Sequence, residues 1–268
     1  MSVSIDRVTA LIEATAAEEV LPRFRSLAET EVREKAGGEL VTVADEATEA
    51  RLAEGLCDLL PGSDVIGEEA VAKEPARLEA VDAETPFWLI DPIDGTANFA
   101  AGRPVFAVMV ALVVGGEIAG AWIHAPVTGH TAVAEAGAGA WHAGRRLRAA
   151  VPDSLGEMRG TLHAGRYGGP ALARRVEALR TRLGAIRSLR CAGQEYVRLA
   201  AGEMHYCLFT KLMPWDHAPG VLLFREAGGL ARLCDGRDYR PAITEGPPLL
   251  MAGEPDLWAH LKGLLWPD

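Results

Sequence analysis

Residues 88–99 read Trp88-Leu89-Ile90-Asp91-Pro92-Ile93-Asp94-Gly95-Thr96-Ala97-Asn98-Phe99, an apolar run that ends in two carboxylates, a glycine and a threonine. The apolar part predicts a buried strand that delivers Asp91 and Asp94 to its own end. Because Pro92 favours an extended backbone at Asp91, the two carboxylates can converge on one cation instead of pointing to opposite faces. Gly95 and the helix start after it would turn backbone N–H groups towards a phosphate. The stretch therefore predicts Mg²⁺ and a phosphate held side by side.

Each carboxylate motif of the chain also has a plainer explanation. Asp-x-x-Asp at a strand end is usual in a turn that caps a helix, although the following Gly95-Thr96 favours the ion site. Gly67-Glu68-Glu69 follows a second short apolar run, and alone it would be a solvated loop. Trp215-Asp216 opens a helical pattern, in which the aspartate alone would be an N-cap. Two acidic strand ends in one half of the chain favour a shared site.

The spacing of apolar residues predicts two halves that differ in how strands and helices follow one another. Residues 5–20 and 47–60 have helical spacing, and the second helix closes at Pro61-Gly62. Runs rich in β-branched residues at 105–114, 118–123 and 131–135 predict an antiparallel meander with a turn at Gly115-Gly116. Short apolar runs at 161–164, 206–209, 230–233 and 249–252 alternate with helical patterns, which predicts an α/β half. We therefore expect an α+β half over residues 1–150 and an α/β half over residues 151–268.

The composition is that of an ordinary globular protein and limits the possible partners. The 268 residues are 49% hydrophobic and 24% charged, with a formal net charge of −10. This charge opposes binding to nucleic-acid polymers and to anionic membranes, whereas bound cations would still allow a small phosphorylated metabolite. No apolar run approaches the roughly 20 residues that span a bilayer, and no leader pattern opens the chain. We expect a cytoplasmic protein.

The four cysteines, Cys57, Cys191, Cys207 and Cys234, are far apart in the sequence and form no CxxC pair. Neither a zinc knuckle nor a disulfide framework is predicted. We expect reduced and mostly buried thiols.

Three motifs occur in order over nearly the whole chain: Gly67-Glu68-Glu69, then Asp91-Pro92-Ile93-Asp94-Gly95-Thr96, then Trp215-Asp216 with Glu226-Ala227-Gly228-Gly229. In these motifs the chain resembles the inositol monophosphatase family of Mg²⁺-dependent, lithium-sensitive phosphatases. The resemblance implies an α/β fold of alternating αβαβα layers, of the sugar-phosphatase type. It also implies hydrolysis of a small phosphorylated alcohol by metal-activated water, in a homodimer.

The resemblance assigns roles to individual residues. It implies that two or three Mg²⁺ ions are bound by Glu68, Asp91, Asp94, Asp216 and the carbonyl oxygen of Ile93. It implies that the substrate is contacted by Gly95, Thr96, Asp94, Asp216, Ala192 and Arg190. Catalysis would fall to Glu68, Thr96 and Asp45, which lies in the upstream segment Leu40-Val41-Thr42-Val43-Ala44-Asp45 and helps to orient the attacking water. Lys35 would sit on a mobile loop that closes near the metals.

The chain departs from the inositol-specific pattern where the alcohol is recognised. Such members carry a glutamate near the position of Phe209, and phenylalanine cannot accept a hydrogen bond from a hydroxyl group, which counts against myo-inositol 1-phosphate. Arg190 either binds a second phosphate or carboxylate or is a surface arginine beside Arg187. The first case admits 3′(2′),5′-bisphosphate nucleotidase, fructose-1,6-bisphosphatase or histidinol-phosphatase activity.

Two other classes remain as alternatives. Haloacid-dehalogenase-like phosphatases use Asp-x-Asp-Gly-Thr, whereas the spacing here is one residue longer, and Asp235-Gly236-Arg237-Asp238 is a poor substitute for their late acidic pair. A non-catalytic relative that binds a partner is disfavoured because every proposed catalytic position keeps a competent side chain.

Overall fold

The computed structural model describes residues 3–35, 38–82, 84–165 and 167–267. The α-helices are α1 (Ile5–Thr15), α2 (Val43–Leu59), α3 (Glu68–Lys73), α4 (Thr96–Ala100), α5 (Gly169–Leu179), α6 (Ala192–Ala200), α7 (Pro214–Glu226) and α8 (Pro255–Leu265). The strands are β1 (Val32–Glu34), β2 (Leu40–Thr42), β3 (Asp64–Gly67), β4 (Phe87–Asp94), β5 (Ala107–Val114), β6 (Glu117–Ala125), β7 (His130–Glu135), β8 (Gly139–His142), β9 (Arg145–Arg146), β10 (Gly160–Leu162), β11 (Tyr206–Phe209), β12 (Leu230–Leu233) and β13 (Leu249–Ala252). A π-helical turn (Ala16–Val20) and short 3₁₀ turns (Leu21–Arg23, Glu29–Glu31, Pro75–Asp82, Leu155–Glu157) complete the regular structure of this part of the chain.

Within the described residues, β3 to β9 form a seven-stranded sheet in chain order. The β3–β4 pair is parallel and the other pairs are antiparallel, so the predicted meander is confirmed. The short strands β8 and β9, which the sequence pattern did not indicate, extend it. A second, four-stranded sheet has the order β10-β11-β13-β12, with β10 and β11 parallel.

The side chains of β4 alternate between the two faces of the first sheet, as the two-residue period of a strand requires. Trp88 and Ile90 pack in a cluster with α1 and α2, whereas Phe87 and Leu89 pack in a cluster with α6 and α7. The α6–α7 layer also covers one face of the second sheet, and α5 and α8 cover the other face. The layers therefore alternate as αβαβα, which confirms the predicted fold class.

A bulge in β4 places its two aspartates. Asp91 is paired with Met109, and the next pair is Asp94 with Ala107, so one strand has an extra residue over this interval. In a regular strand, side chains three residues apart point to opposite faces, and one extra residue restores them to the same side. The bulge puts Asp91 and Asp94 on the same side of β4, and their convergence on one cation stays a prediction.

The structure also bears on the predictions about the cysteines, about membrane-spanning helices and about the two halves of the chain. The four cysteines are free thiols, and Cys191, Cys207 and Cys234 are buried. Among the described residues no helix has both the length and the apolar character needed to cross a membrane. The two sheets lie on either side of residue 150 in the sequence, but the division into halves stays a prediction because both sheets pack on the same α6–α7 layer.

The contact of α6 with α7 depends on a glycine. A Cβ atom at Gly220 would lie 2.1 Å from the ring of Tyr196, which is buried and cannot move aside. We expect Gly220→Ala to destabilise the protein by about 1–3 kcal/mol or more through overpacking. The matched control is Gly263→Ala in α8, where a Cβ meets nothing within 4 Å. That change should stabilise the helix by about 0.5–1 kcal/mol. Thermal denaturation compares the two variants, and equal melting temperatures would contradict this account of the α6–α7 contact.

Candidate active site

Three carboxylates from three elements meet at one edge of the first sheet. Glu68 begins α3 directly after β3, Asp91 lies in the neighbouring parallel strand β4, and Asp216 lies in the first turn of α7. Each offers an oxygen within 4.8 Å of the others. The structure thus brings together three of the four carboxylates that the sequence nominates as metal ligands. The N-cap of α7 is Met213, so Asp216 is not the helix cap that the plainer explanation allowed.

The environment of this group fits a hard divalent cation. Asp91 is 2% exposed, and its Oδ1 atom has no hydrogen-bond partner among the described residues. Burial, and then the charge of Glu68, raises the pKa of Asp91 and of Asp216 well above the usual value. Buried carboxylates are normally paired or bound to a metal, and oxygen ligands suit hard cations.

Asp94 occupies a different place from the other three. Its Oδ2 atom accepts hydrogen bonds from the Gly193 N–H at 2.6 Å and the Cys191 thiol at 3.0 Å. Burial raises the pKa of Asp94, and these two hydrogen bonds oppose the rise. Asp94 therefore joins the β4 strand end to the start of α6. It lines one cavity of about 490 Å³ with Glu68, Asp91 and Asp216.

Asp45 in the first turn of α2 and Thr96 at the start of α4 lie within hydrogen-bond distance of each other. Asp45 belongs to a capping box at the start of α2, where its Oδ2 accepts from the Thr42 N–H at 2.8 Å and the Thr42 hydroxyl at 2.6 Å. The Thr96 hydroxyl lies 3.3 Å from Asp45 Oδ1 and 2.9 Å from the Ile93 carbonyl oxygen. Burial raises the pKa of Asp45 to about 7, against the effect of the Thr42 hydrogen bonds.

Gly95 allows the tight turn between β4 and α4. It has the left-handed value φ = 88°, which glycine adopts at low cost. A Cβ atom there would lie 3.1 Å from the Val105 carbonyl oxygen and 3.2 Å from that of Arg190. Asn98, one turn later, donates from its amide nitrogen to the carbonyl oxygens of Val105 at 2.7 Å and Leu189 at 2.9 Å. The loop is thus fixed against the segment that precedes α6.

Lys35 reaches the carboxylate group from the β1–β2 hairpin. Its ammonium group lies 2.6 Å from Glu68 Oε1 and 2.9 Å from Glu69 Oε1. Burial lowers the pKa of Lys35, but the two carboxylates outweigh burial and raise it. Ala36 and Gly37 of the predicted mobile loop lie outside the described residues, so the mobility of this loop stays a prediction.

Sequence reasoning missed a residue that fixes the first turn of α3, where Glu68 lies. Glu49 is buried on α2 and accepts hydrogen bonds from the N–H groups of Glu69 and Ala70, both at 2.7 Å. A Cβ atom at Gly67 would lie 2.3 Å from its carboxyl carbon, so the glycine makes room for this contact. The available signal was spacing, because Glu49 follows Asp45 by four residues and therefore shares its face of α2.

Four of the candidate substrate residues, Asp94, Asp216, Ala192 and Arg190, line a second cavity of about 720 Å³. Gly95 and Thr96 line the first cavity instead. Ala192 and Phe209 lie in the wall of the second cavity, and Arg190 is exposed at its side with the left-handed value φ = 57°. His217, next to Asp216, has both ring nitrogens in hydrogen bonds, with the Tyr196 hydroxyl at 2.8 Å and the Lys211 carbonyl oxygen at 2.5 Å. Burial lowers the pKa of His217 to about 4. His217 is therefore a neutral, buried side chain that packs beside Asp216.

Comparisons with known proteins agree with this geometry. Residues 4–263 match the family described as the inositol monophosphatase family. The inositol-1-monophosphatase of Caulobacter vibrioides is 31% identical over 251 residues, which are 91% of this chain and 95% of that protein. The fructose-1,6-bisphosphatase/inositol-1-monophosphatase of Thermotoga maritima is 31% identical over 200 residues, 75% of this chain and 73% of that protein. The crystal structure of the extragenic suppressor protein SuhB from Bartonella henselae shares the fold, with a TM-score of 0.84, 23% identity and 98% of each chain covered.

The fold and the carboxylate group define a metal-dependent phosphatase of the layered α/β type. The chain belongs to the inositol monophosphatase family. It is therefore a phosphoric monoester hydrolase that acts on small phosphorylated molecules, which confirms the predicted activity and class of enzyme. The family assignment also sets aside the haloacid-dehalogenase-like class.

Without a bound metal ion, repulsion within the carboxylate group of Glu68, Asp91 and Asp216 should destabilise the protein. Asp91→Asn removes one of three mutually repelling charges, so in a chelator we expect the variant to melt at or above the wild-type temperature. Wild type should gain stability with a saturating divalent cation, by about 2.7 kcal/mol at a hundredfold excess over Kd. The variant should gain far less. Differential scanning calorimetry with and without MgCl₂ measures both, with the exposed Asp58→Asn as control. An unchanged cation response in Asp91→Asn would contradict the assignment.

Proposed function

We propose that this chain hydrolyses the phosphate monoester of a small alcohol with two or three Mg²⁺ ions held by Glu68, Asp91, Asp94, Asp216 and the carbonyl oxygen of Ile93. One observation carries the proposal: oxygens of Glu68, Asp91 and Asp216 lie within 4.8 Å of one another, and the Oδ1 of Asp91 is buried without a partner among the described residues. When bound, Mg²⁺ would neutralise phosphate oxygens and lower the pKa of the attacking water. Lithium inhibition is expected with the same site.

The residues around the metal ligands would bind the phosphate and align the water. Gly95 and Thr96 would give backbone N–H groups to the phosphate oxygens at the turn after β4. The Thr96 hydroxyl donates to Ile93 or Asp45, so its lone pairs can accept a hydrogen bond from the water. A carboxylate whose pKa is about 7, as for Asp45, can take up a proton near neutral pH. Glu68 would help Thr96 and Asp45 to hold the water in line with the leaving alcohol.

The side chains that line the second cavity are compatible with more than one leaving alcohol. Phe209 offers no hydrogen-bond acceptor from its side chain, which counts against an inositol ring at that position. Arg190, exposed at the cavity, favours an alcohol that carries a second anionic group. The alternatives to inositol phosphate are fructose 1,6-bisphosphate, nucleotide 3′(2′),5′-bisphosphates and histidinol phosphate. The name of the Thermotoga maritima relative includes fructose-1,6-bisphosphatase.

A phosphate-release screen with MgCl₂ tests the proposal and selects among these alcohols. We expect turnover that depends on Mg²⁺ and is lost in Asp94→Asn. Arg190→Gln should raise KM for bisphosphates much more than KM for inositol 1-phosphate. Absence of turnover across the whole panel would overturn the proposed function, and equal KM changes would assign Arg190 to the surface.

Thr96→Val should lower kcat by about a hundredfold or more, the lower range for loss of positioned proton transfer. Thr48→Val is the matched control, because the Thr48 hydroxyl is buried in α2 without a hydrogen-bond partner in the described part of the chain. The control should keep wild-type kcat and metal response. Steady-state kinetics decides, and equal kcat values for the two variants would remove Thr96 from the mechanism.

We also propose a homodimer and a cytoplasmic location. The free cysteines are compatible with a reducing compartment, and the family resemblance is the ground for the dimer. The two halves, residues 1–150 and 151–268, would contribute the metal site and the alcohol site, with Asp216 as the shared residue. Sedimentation equilibrium tests the dimer.

A further inference from the structure

Three near-parallel rings extend from the core to the alcohol cavity. The ring of Phe209 is stacked on Tyr196, with centroids 5.2 Å apart and planes at 21°, and on His163, at 4.7 Å and 17°. Tyr196 and Phe209 are buried, whereas the side chain of His163 is 28% exposed. His163 and Phe209 line the cavity that also contains Asp94 and Asp216.

A buried carboxylate fixes the orientation of the His163 ring. Glu195 is fully buried, and its Oε2 lies 2.6 Å from His163 Nε2 and 2.7 Å from the Thr161 hydroxyl. Its Oε1 accepts from the Ser188 hydroxyl and the Leu189 N–H, both at 2.8 Å. Burial would raise the pKa of Glu195, but these hydrogen bonds outweigh it and lower the pKa. Glu195 is therefore an ionised acceptor, and His163 Nε2 carries the donated proton.

These contacts leave one part of the His163 ring for a ligand. Phe209 covers one face, and Glu195 occupies the Nε2 edge. The side chain keeps 28% of its surface exposed where it lines the cavity, and none of the described residues makes a hydrogen bond to Nδ1. A second aromatic side chain, Tyr167, is 54% exposed and lines the same cavity. The volume of about 720 Å³ is within the range of pockets that bind ligands larger than a single sugar ring.

We propose that His163 is a specificity-determining residue that stacks on a flat aromatic ring carried by the leaving alcohol, as in a nucleoside monophosphate. This inference rests on the proposed function, since it concerns the alcohol end of the same site. The buried Glu195 holds the ring rigidly, so stacking requires little reordering of the side chain. Nδ1 would accept a hydrogen bond from an N–H or O–H group of the ligand. Stacking of a base on one aromatic side chain corresponds to a change in affinity of about fivefold to a hundredfold.

The test compares two phosphate esters of secondary alcohols: adenosine 2′-monophosphate, which carries an aromatic base on a ribose, and glycerol 2-phosphate, which has no ring. With MgCl₂ and the full chain, we expect wild type to show at least a tenfold lower KM for the adenosine ester. His163→Gln removes the ring, but its amide can still donate to Glu195, so the buried carboxylate keeps a partner. This variant should reduce the KM preference at least fivefold. His130→Gln on β7, an exposed histidine outside the cavity, should leave the preference unchanged.

The outcomes separate this inference from the proposed function. Equal wild-type KM values for the two esters, or a proportional loss on both in His163→Gln, would overturn the ring-stacking role and leave the phosphatase assignment intact. Turnover of neither ester would count against the proposed function. Equilibrium dialysis of adenosine 2′-monophosphate would then decide the inference alone: tighter binding by wild type than by His163→Gln supports it, and equal binding overturns it.

Discussion

Mutual repulsion among Glu68, Asp91 and Asp216 is the constraint on which this structure depends. Two unit charges within 4.8 Å of each other repel by on the order of 3 kcal/mol at an effective dielectric constant of about 20. The rest of the fold must hold the three residues in place against this repulsion. The parallel β3–β4 pair brings two strand ends to one edge, and α7 packs across the sheet to bring the third. The αβαβα layers supply the buried area that offsets the repulsion.

The supporting contacts show how firmly the site is held. Glu49 accepts from the N–H groups of Glu69 and Ala70 in α3, and Asp45 accepts from Thr42. Two positions on α2 are thus fixed by hydrogen bonds near the carboxylate group. Asp94 and Asn98 bind backbone groups before and at the start of α6. The turn at Gly95 and Thr96, proposed above to bind phosphate and called here the phosphate turn, is therefore joined by hydrogen bonds to the cavity wall at the start of α6. A substitution in that wall should affect the geometry of the phosphate turn as well as the recognition of the alcohol.

The sequence predicted those parts of the fold and site that depend on local pattern. Strand ends followed by acids, the turn at Gly95 and the helical spacing over residues 47–60 all have signals within a few residues of each other. Contacts between distant elements left no such signal: the pairing of His163 with Glu195 joins residues 32 positions apart, and neither stands in a recognisable motif. The strands β8 and β9 were missed because four and two residues are too few for a two-residue period to be detected. The roles assigned to all of the site residues remain predictions, because the structure gives their positions and contacts and does not test what each of them binds.

The backbone at Arg190 gives a physical reason to treat this residue as part of the cavity. A residue other than glycine in the left-handed region costs about 1–2 kcal/mol, and Arg190 keeps φ = 57° although glycine would relieve the strain. Its carbonyl oxygen faces Gly95 and the amide of Asn98, and its N–H donates to the Ser188 hydroxyl, so the strained conformation is fixed by the phosphate turn on one side and by the Glu195 network on the other. Strain that is held by its surroundings at the rim of a site is typical of residues whose side chain is needed there. The same segment thus connects the Gly95–Thr96 turn, which we propose binds the phosphate, with the His163 network at the alcohol cavity, and we expect substrate choice to depend on both.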